Sequence, residues 1–96
     1  MFLVLVHYTK PLSDIDALRP AHMAFLDEHF AKGTFLFSGP RDPRVGGVIA
    51  ATCPDEPTLR ALLAEDPFAR AGAATYEVMR LAVNKAAPDL ARLRDC

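Results

Sequence analysis

The sequence predicts an α+β domain of four strands and two helices in the order β-α-β-β-α-β. Three observations carry this. Apolar runs of strand length occupy Phe2–Tyr8, Thr34–Pro40, Val45–Cys53 and Thr75–Val83, each bounded by Gly, Pro or polar residues. After the first and third runs, apolar residues recur instead at the three-and-four spacing of a helix face. The second and third runs are joined only by Arg41-Asp-Pro-Arg44, which makes them an antiparallel hairpin.

Taken in order, Phe2–Tyr8 is apolar without a break, as in a strand covered on both faces. Pro11-Leu-Ser-Asp14 is a loop, and Ser13 with Asp16 resembles a capping arrangement. Pro20 is unwelcome inside a helix. Ile15–Leu18 is therefore expected as a separate turn, with the main helix starting near Arg19 or Pro20. Leu18, His22, Phe25, Leu26, His29 and Phe30 form its stripe, Lys32 suits its negative end, and Gly33 follows it as the C′ residue. Gly46-Gly47 in the third strand marks a bulge or a close approach of another group. Asp55 is the expected N-cap of the second helix, whose stripe is Leu59, Leu62 and Leu63. That helix ends near Glu65, and Asp66-Pro67 starts a new short turn through Phe68 to about Gly72. Residues 84–96 form a tail in which Pro88–Arg94 has room for two helical turns.

This order is the split βαβ, or ferredoxin-like, pattern: a four-stranded antiparallel sheet with two helices on one face. The other face would be apolar and wet, and pairing of two copies sheet to sheet would cover it. The expected partner is therefore a second copy of the chain, forming a homodimer. Hydrophobic residues make up 51% of 96 positions, slightly rich for so small a body and consistent with a second buried surface. A net charge of −1 without a basic, aromatic-interleaved stripe argues against nucleic acid. The opening apolar run is too short for a membrane span and lacks a basic leader region, so the cytoplasm is the expected location. Cys53 reads as a small hydrophobe at a strand end, and Cys96 as part of a mobile terminus.

The helix stripe is interrupted by imidazole, and a buried ring nitrogen needs a partner. His22 is either a general base or a satisfied core histidine. Asp66, at a chain break, is either the carboxylate that orients His22 or a plain N-cap with Pro67 after it. Ser38 and Gly39, at a strand end, are either a donor beside open backbone or turn chemistry. Arg19 shares a helix face with His22 and would hold a carboxylate or phenolate, or else make a surface ion pair. His29 is read as a helix-end surface residue. His22 and His29 are seven apart, not four, and no zinc or nucleotide motif occurs, so neither a metal nor a cofactor is expected.

The set Arg19-x-x-His22-x-x-x-Leu26, Ser38-Gly39-Pro40, Gly46-Gly47, Asp66-Pro67-Phe68, and Gly72 before Tyr76-Glu77-Val78 resembles the YciI-like (YCII-related) family over residues 1–83. The resemblance implies a ferredoxin-like subunit of a dimeric α/β barrel. In that family a helix histidine and the aspartate before the proline are proposed as a His–Asp pair in a cleft, with the serine close by. Here those positions are His22, Asp66 and Ser38, the expected catalytic set. Arg19, Gly39 and Phe68 are the expected substrate-binding residues. Some relatives resemble enzymes that eliminate halide from a hydroxylated ring, and the wider superfamily includes muconolactone isomerases. The expectation is a small cofactor-free enzyme doing acid–base chemistry (isomerisation, elimination or hydrolysis) on a small cyclic or aromatic metabolite. Its alternatives are a ligand-binding module without turnover and a dimerisation domain.

Overall fold

Four strands and three α-helices follow in the computed structural model, which describes residues 1–94: β1 (Phe2–Tyr8), α1 (Leu12–Ala31), β2 (Phe35–Pro40), β3 (Gly46–Ala51), α2 (Glu56–Leu63), α3 (Pro67–Arg70) and β4 (Ala74–Arg80). A 3-10 segment, Pro88–Leu93, lies in the tail. Cys96, expected to be mobile, lies outside the described residues. The strand order is β2-β3-β1-β4, with every neighbouring pair antiparallel. This is the ferredoxin-like α+β arrangement, with β1 central because its two neighbours are β3 and β4.

Strand alternation decides which residues meet the helices. Phe2, Val4 and Val6 point into the core with Ile15, Phe25, Leu26, Phe35, Ile49, Leu59, Leu63 and Phe68. The intervening Leu3 and Leu5 share the opposite face with Val48, Ala50, Phe37 and Met79 by register. On that face Phe37 is 49% and Met79 46% exposed. Helices therefore cover β1 on one face only.

Pro20 does not divide the helix. α1 runs unbroken across it, against the expectation of a separate turn at Ile15–Leu18. The reason is tertiary. A proline in a helix interior costs about 3 kcal/mol. Continuing the helix back to Leu12 buries Ile15 to 1% exposure and half-buries Leu18. Full burial of one such side chain stabilises by about 1.5–3 kcal/mol. Pro20 and Asp16 are both on the exposed side, where water can reach the carbonyl left without its donor. The Ser13 cap is also absent. Pro11 occupies the N-cap position with no side-chain bond, and Asp16 pairs with Arg44 instead.

The far end of α1 follows its sequence closely. Gly33 at φ 77° lets its N–H reach Phe30 O at 3.0 Å and Thr34 N–H reach His29 O at 3.0 Å. His29, expected at the surface, is 5% exposed. The unbroken helix carries it against Phe35, edge-on to Phe25 at 4.8 Å, and among the described residues neither ring nitrogen has a hydrogen-bond partner. In β3, a Cβ on Gly46 would lie 1.8 Å from Val6 O, so the glycine permits close strand approach. The register irregularity lies elsewhere, between Phe35 and Phe37 on β2. Asp55 caps α2 by accepting from Thr58 N at 2.8 Å. Cys53 is a free, half-buried thiol packed against the core, and burial pushes its pKa up.

Candidate active site

The site begins with the spacing of α1. The stripe that buries Ile15, Phe25 and Leu26 puts His22 on the same face, with its side chain 13% exposed. Its ring stacks on Phe68, with centroids 3.9 Å apart and planes 9° from parallel. Asp66 meets the same ring at Nδ1. The residue before a proline is disfavoured in the helical region, so the chain breaks between α2 and α3 at Asp66 (φ −58°, ψ 130°). The break directs a fully buried carboxylate at α1.

Both oxygens of that carboxylate are engaged. Oδ1 lies 2.8 Å from His22 Nδ1 and accepts from Phe68 N–H at 3.0 Å. Oδ2 accepts from the Tyr76 hydroxyl at 2.6 Å. Tyr76 reaches it because β4 pairs with β1, with Tyr76 opposite core-facing Val6. Asp66 is thus both cap and imidazole partner, since a carboxylate has acceptor sites for three donors. Burial, then the Asp66 hydrogen bond, pushes the Tyr76 phenol far above the usual tyrosine range, so it remains a donor. An acceptor-only carboxylate at Nδ1 requires Nδ1–H there. In the neutral ring that leaves the Nε2 lone pair uncommitted.

His22 forms part of the wall of a cleft of about 160 Å³ between α1 and the β2–β3 end of the sheet. Val6, Ile15, Leu26, Ile49 and Phe68 give it apolar walls, while Arg19, Ser38 and Arg44 supply polar groups. Ser38 is directed there by register, because it sits opposite core-facing Ile49. Gly39 also lines the cleft, and a Cβ there would meet nothing within 4 Å. Five of the six expected residues therefore share one cavity: Arg19, His22, Ser38, Gly39 and Phe68. Asp66 is not on its wall. It stands behind His22 at 0% exposure.

Two residues near the site were not among those expected there from the sequence. Arg44 lines the cleft, and its guanidinium pairs with Asp16. Nothing in the Asp-Pro-Arg turn announces this. Tyr76 did carry a signal. Its position on the core face of β4 puts a phenol where it needs a polar partner. No group of three His, Cys, Asp or Glu side chains suited to a metal ion occurs among the described residues.

Fold and site together define a small ferredoxin-like domain with an apolar cleft and a buried carboxylate–imidazole pair. The YCII-related domain profile matches residues 1–82, and the chain belongs to that family. Among curated proteins no sequence match was found. Among solved structures, the chain is similar to the 5-chloro-2-hydroxyhydroquinone dehydrochlorinase TftG from Burkholderia phenoliruptrix AC1100, in complex with 2,5-dihydroxybenzoquinone. The TM-score is 0.70 at 20% identity, over 84% of this chain and 93% of that one. The likeness establishes the fold. No helix among the described residues is long and apolar enough to cross a membrane.

Proposed function

We propose that the protein is a small enzyme in which His22 moves a proton on a small cyclic or aromatic metabolite. One observation carries the reading: the 2.8 Å contact between His22 Nδ1 and a fully buried Asp66 carboxylate, with the same imidazole on the cleft wall. The carboxylate selects the ring tautomer and stabilises the imidazolium that forms when Nε2 takes a proton. Returning that proton to a leaving group or a neighbouring carbon completes an elimination or an isomerisation. Delivering it after water attacks completes a hydrolysis. None of these steps calls on a cofactor.

The cleft's size and lining favour a ring. A dry, apolar cavity of about 150 Å³ accommodates benzene, and this one is about 160 Å³ with Phe68, Ile15 and Ile49 in its walls. Arg19 would hold an acidic oxygen on the ring, Ser38 would donate to a carbonyl or anion, and Gly39 leaves the β2 backbone approachable. The related fold belongs to a dehydrochlorinase, which makes loss of halide from a hydroxylated ring the first reaction to try.

The exposed apolar sheet face supports a homodimer through Leu3, Leu5, Phe37, Val48 and Met79. A free thiol at Cys53 suits a reducing cytoplasm. The test is product formation from a panel of chlorinated hydroxylated rings and unsaturated lactones, wild type beside His22→Ala. Turnover that the variant loses supports the enzyme. Turnover equal in both overturns the role of His22. Binding without product over long incubation favours the alternative, a ligand-binding module.

A further inference from the structure

We propose that Tyr76 is a positioning residue for the His22–Asp66 pair, its O–H holding Asp66 Oδ2 so that Oδ1 stays aimed at His22 Nδ1. The inference rests on the reading of that pair as the proton-transfer centre.

The division of donors on Asp66 carries it. Oδ1 serves two donors, His22 at 2.8 Å and Phe68 N–H at 3.0 Å. Oδ2 has Tyr76 at 2.6 Å. The terminal torsion of an aspartate is broad, so its own rotamer does not fix the carboxyl plane. A donor on each oxygen does. Phe68 N–H anchors one oxygen to the start of α3, and Tyr76 anchors the other to β4, the strand beside β1. Remove the phenol O–H and Oδ2 becomes a buried carboxylate oxygen without a donor. The carboxyl then rotates to redistribute Phe68 N–H and the imidazole between its two oxygens, and the bond to Nδ1 lengthens or bends. Tyr76 is not among the residues lining the cleft, so its influence on a bound ring passes through Asp66 and His22. Its burial and its bond to Asp66 keep it protonated, which suits a group that serves only as donor.

The test needs no substrate. NMR of histidine-labelled protein compares wild type with Tyr76→Phe, which keeps the packed ring and removes only the hydroxyl. Exchange of the His22 Nδ1 proton with water is expected to be about tenfold faster in the variant, as for loss of one support to a charged hydrogen bond. The His7 and His29 signals should not move. An unchanged exchange rate in folded Tyr76→Phe overturns the proposal. Should that variant fail to fold, 3-fluorotyrosine placed at position 76 retains the O–H but makes it a stronger donor. A shifted His22 Nδ1 proton resonance then supports the proposal, and no shift overturns it. Faster exchange in Tyr76→Phe, together with His22→Ala turnover equal to wild type, would leave the positioning role standing while the enzyme reading falls.

Discussion

Replacing Asp66 separates its structural role from its chemical one. Asp66→Ala deletes a fully buried acceptor for three donors. The lost N-cap bond to Phe68 N–H costs about 1 kcal/mol. The part-buried Tyr76 hydroxyl, left without its carboxylate partner, adds about 1–3 kcal/mol. Together this is about 2–4 kcal/mol, a large part of the roughly 5–15 kcal/mol typical of a whole domain. At about 4–8 °C per kcal/mol for a chain of this size, the melting temperature falls by about 10–30 °C. Asp66→Asn behaves differently. Its amide oxygen, placed at Oδ1, still accepts from Phe68 N–H and His22 Nδ1–H, so the N-cap bond survives, while its NH₂ faces the Tyr76 oxygen and leaves the Tyr76 O–H without its acceptor. Charge assistance and that one bond are lost, about 1–2 kcal/mol in all. Urea unfolding followed by circular dichroism measures both. Asp66→Ala within 1 kcal/mol of wild type, or Asp66→Asn as damaging as Asp66→Ala, would refute the hydrogen-bond assignment.

Three further outcomes follow from particular contacts. Pro20→Ala restores an N–H donor inside an exposed stretch of α1. It should stabilise by about 1–3 kcal/mol, read as a raised melting temperature, and a lowered one would contradict the unbroken helix. Gly46→Ala puts a methyl 1.8 Å from Val6 O. It should cost at least about 3 kcal/mol or prevent folding, whereas near-wild-type stability would contradict the β1–β3 register. Tyr76 ties stability to alkaline pH. Its folded-state pKa lies above the reference 10.0, so the folded chain binds this proton more tightly than the unfolded chain. Its contribution is fully present below about pH 10 and is lost as pH rises above that, when the unfolded chain ionises first. Unfolding midpoints should therefore drop more steeply above pH 10 in wild type than in Tyr76→Phe, and parallel curves would exclude this linkage.

Much of the fold was legible because it depends on local signals. The unbroken apolar run of Phe2–Tyr8, the hairpin link at Arg41–Arg44, the Asp55 and Asp66 caps and the Gly33 terminus each act within a few residues. The failures occurred where tertiary packing outweighed a local rule. Burial of Ile15 and Leu18 carried α1 through Pro20, and the same unbroken helix placed His29 against Phe35. The candidate site was legible in a different way. His22 and Asp66 are 44 residues apart, and each had an ordinary local explanation. Resemblance of a scattered motif set, not periodicity, connected them. The Asp-Pro signal could not distinguish a cap from an imidazole partner because Asp66 is both. Tyr76 escaped because its partner lies on another element, and Arg44 because its turn carries no distinguishing pattern.

The most direct measurement is of proton transfer itself. The protein is incubated in D₂O with small hydroxylated ring compounds, and replacement of ring C–H by C–D is followed by NMR. Wild type should accelerate exchange, and His22→Ala should lower the protein-dependent rate by about 10²–10⁴-fold, the usual range for a positioned acid–base group. Its fold and self-association should stay intact. Exchange at the same rate in wild type and His22→Ala would contradict His22 as the group that moves the proton.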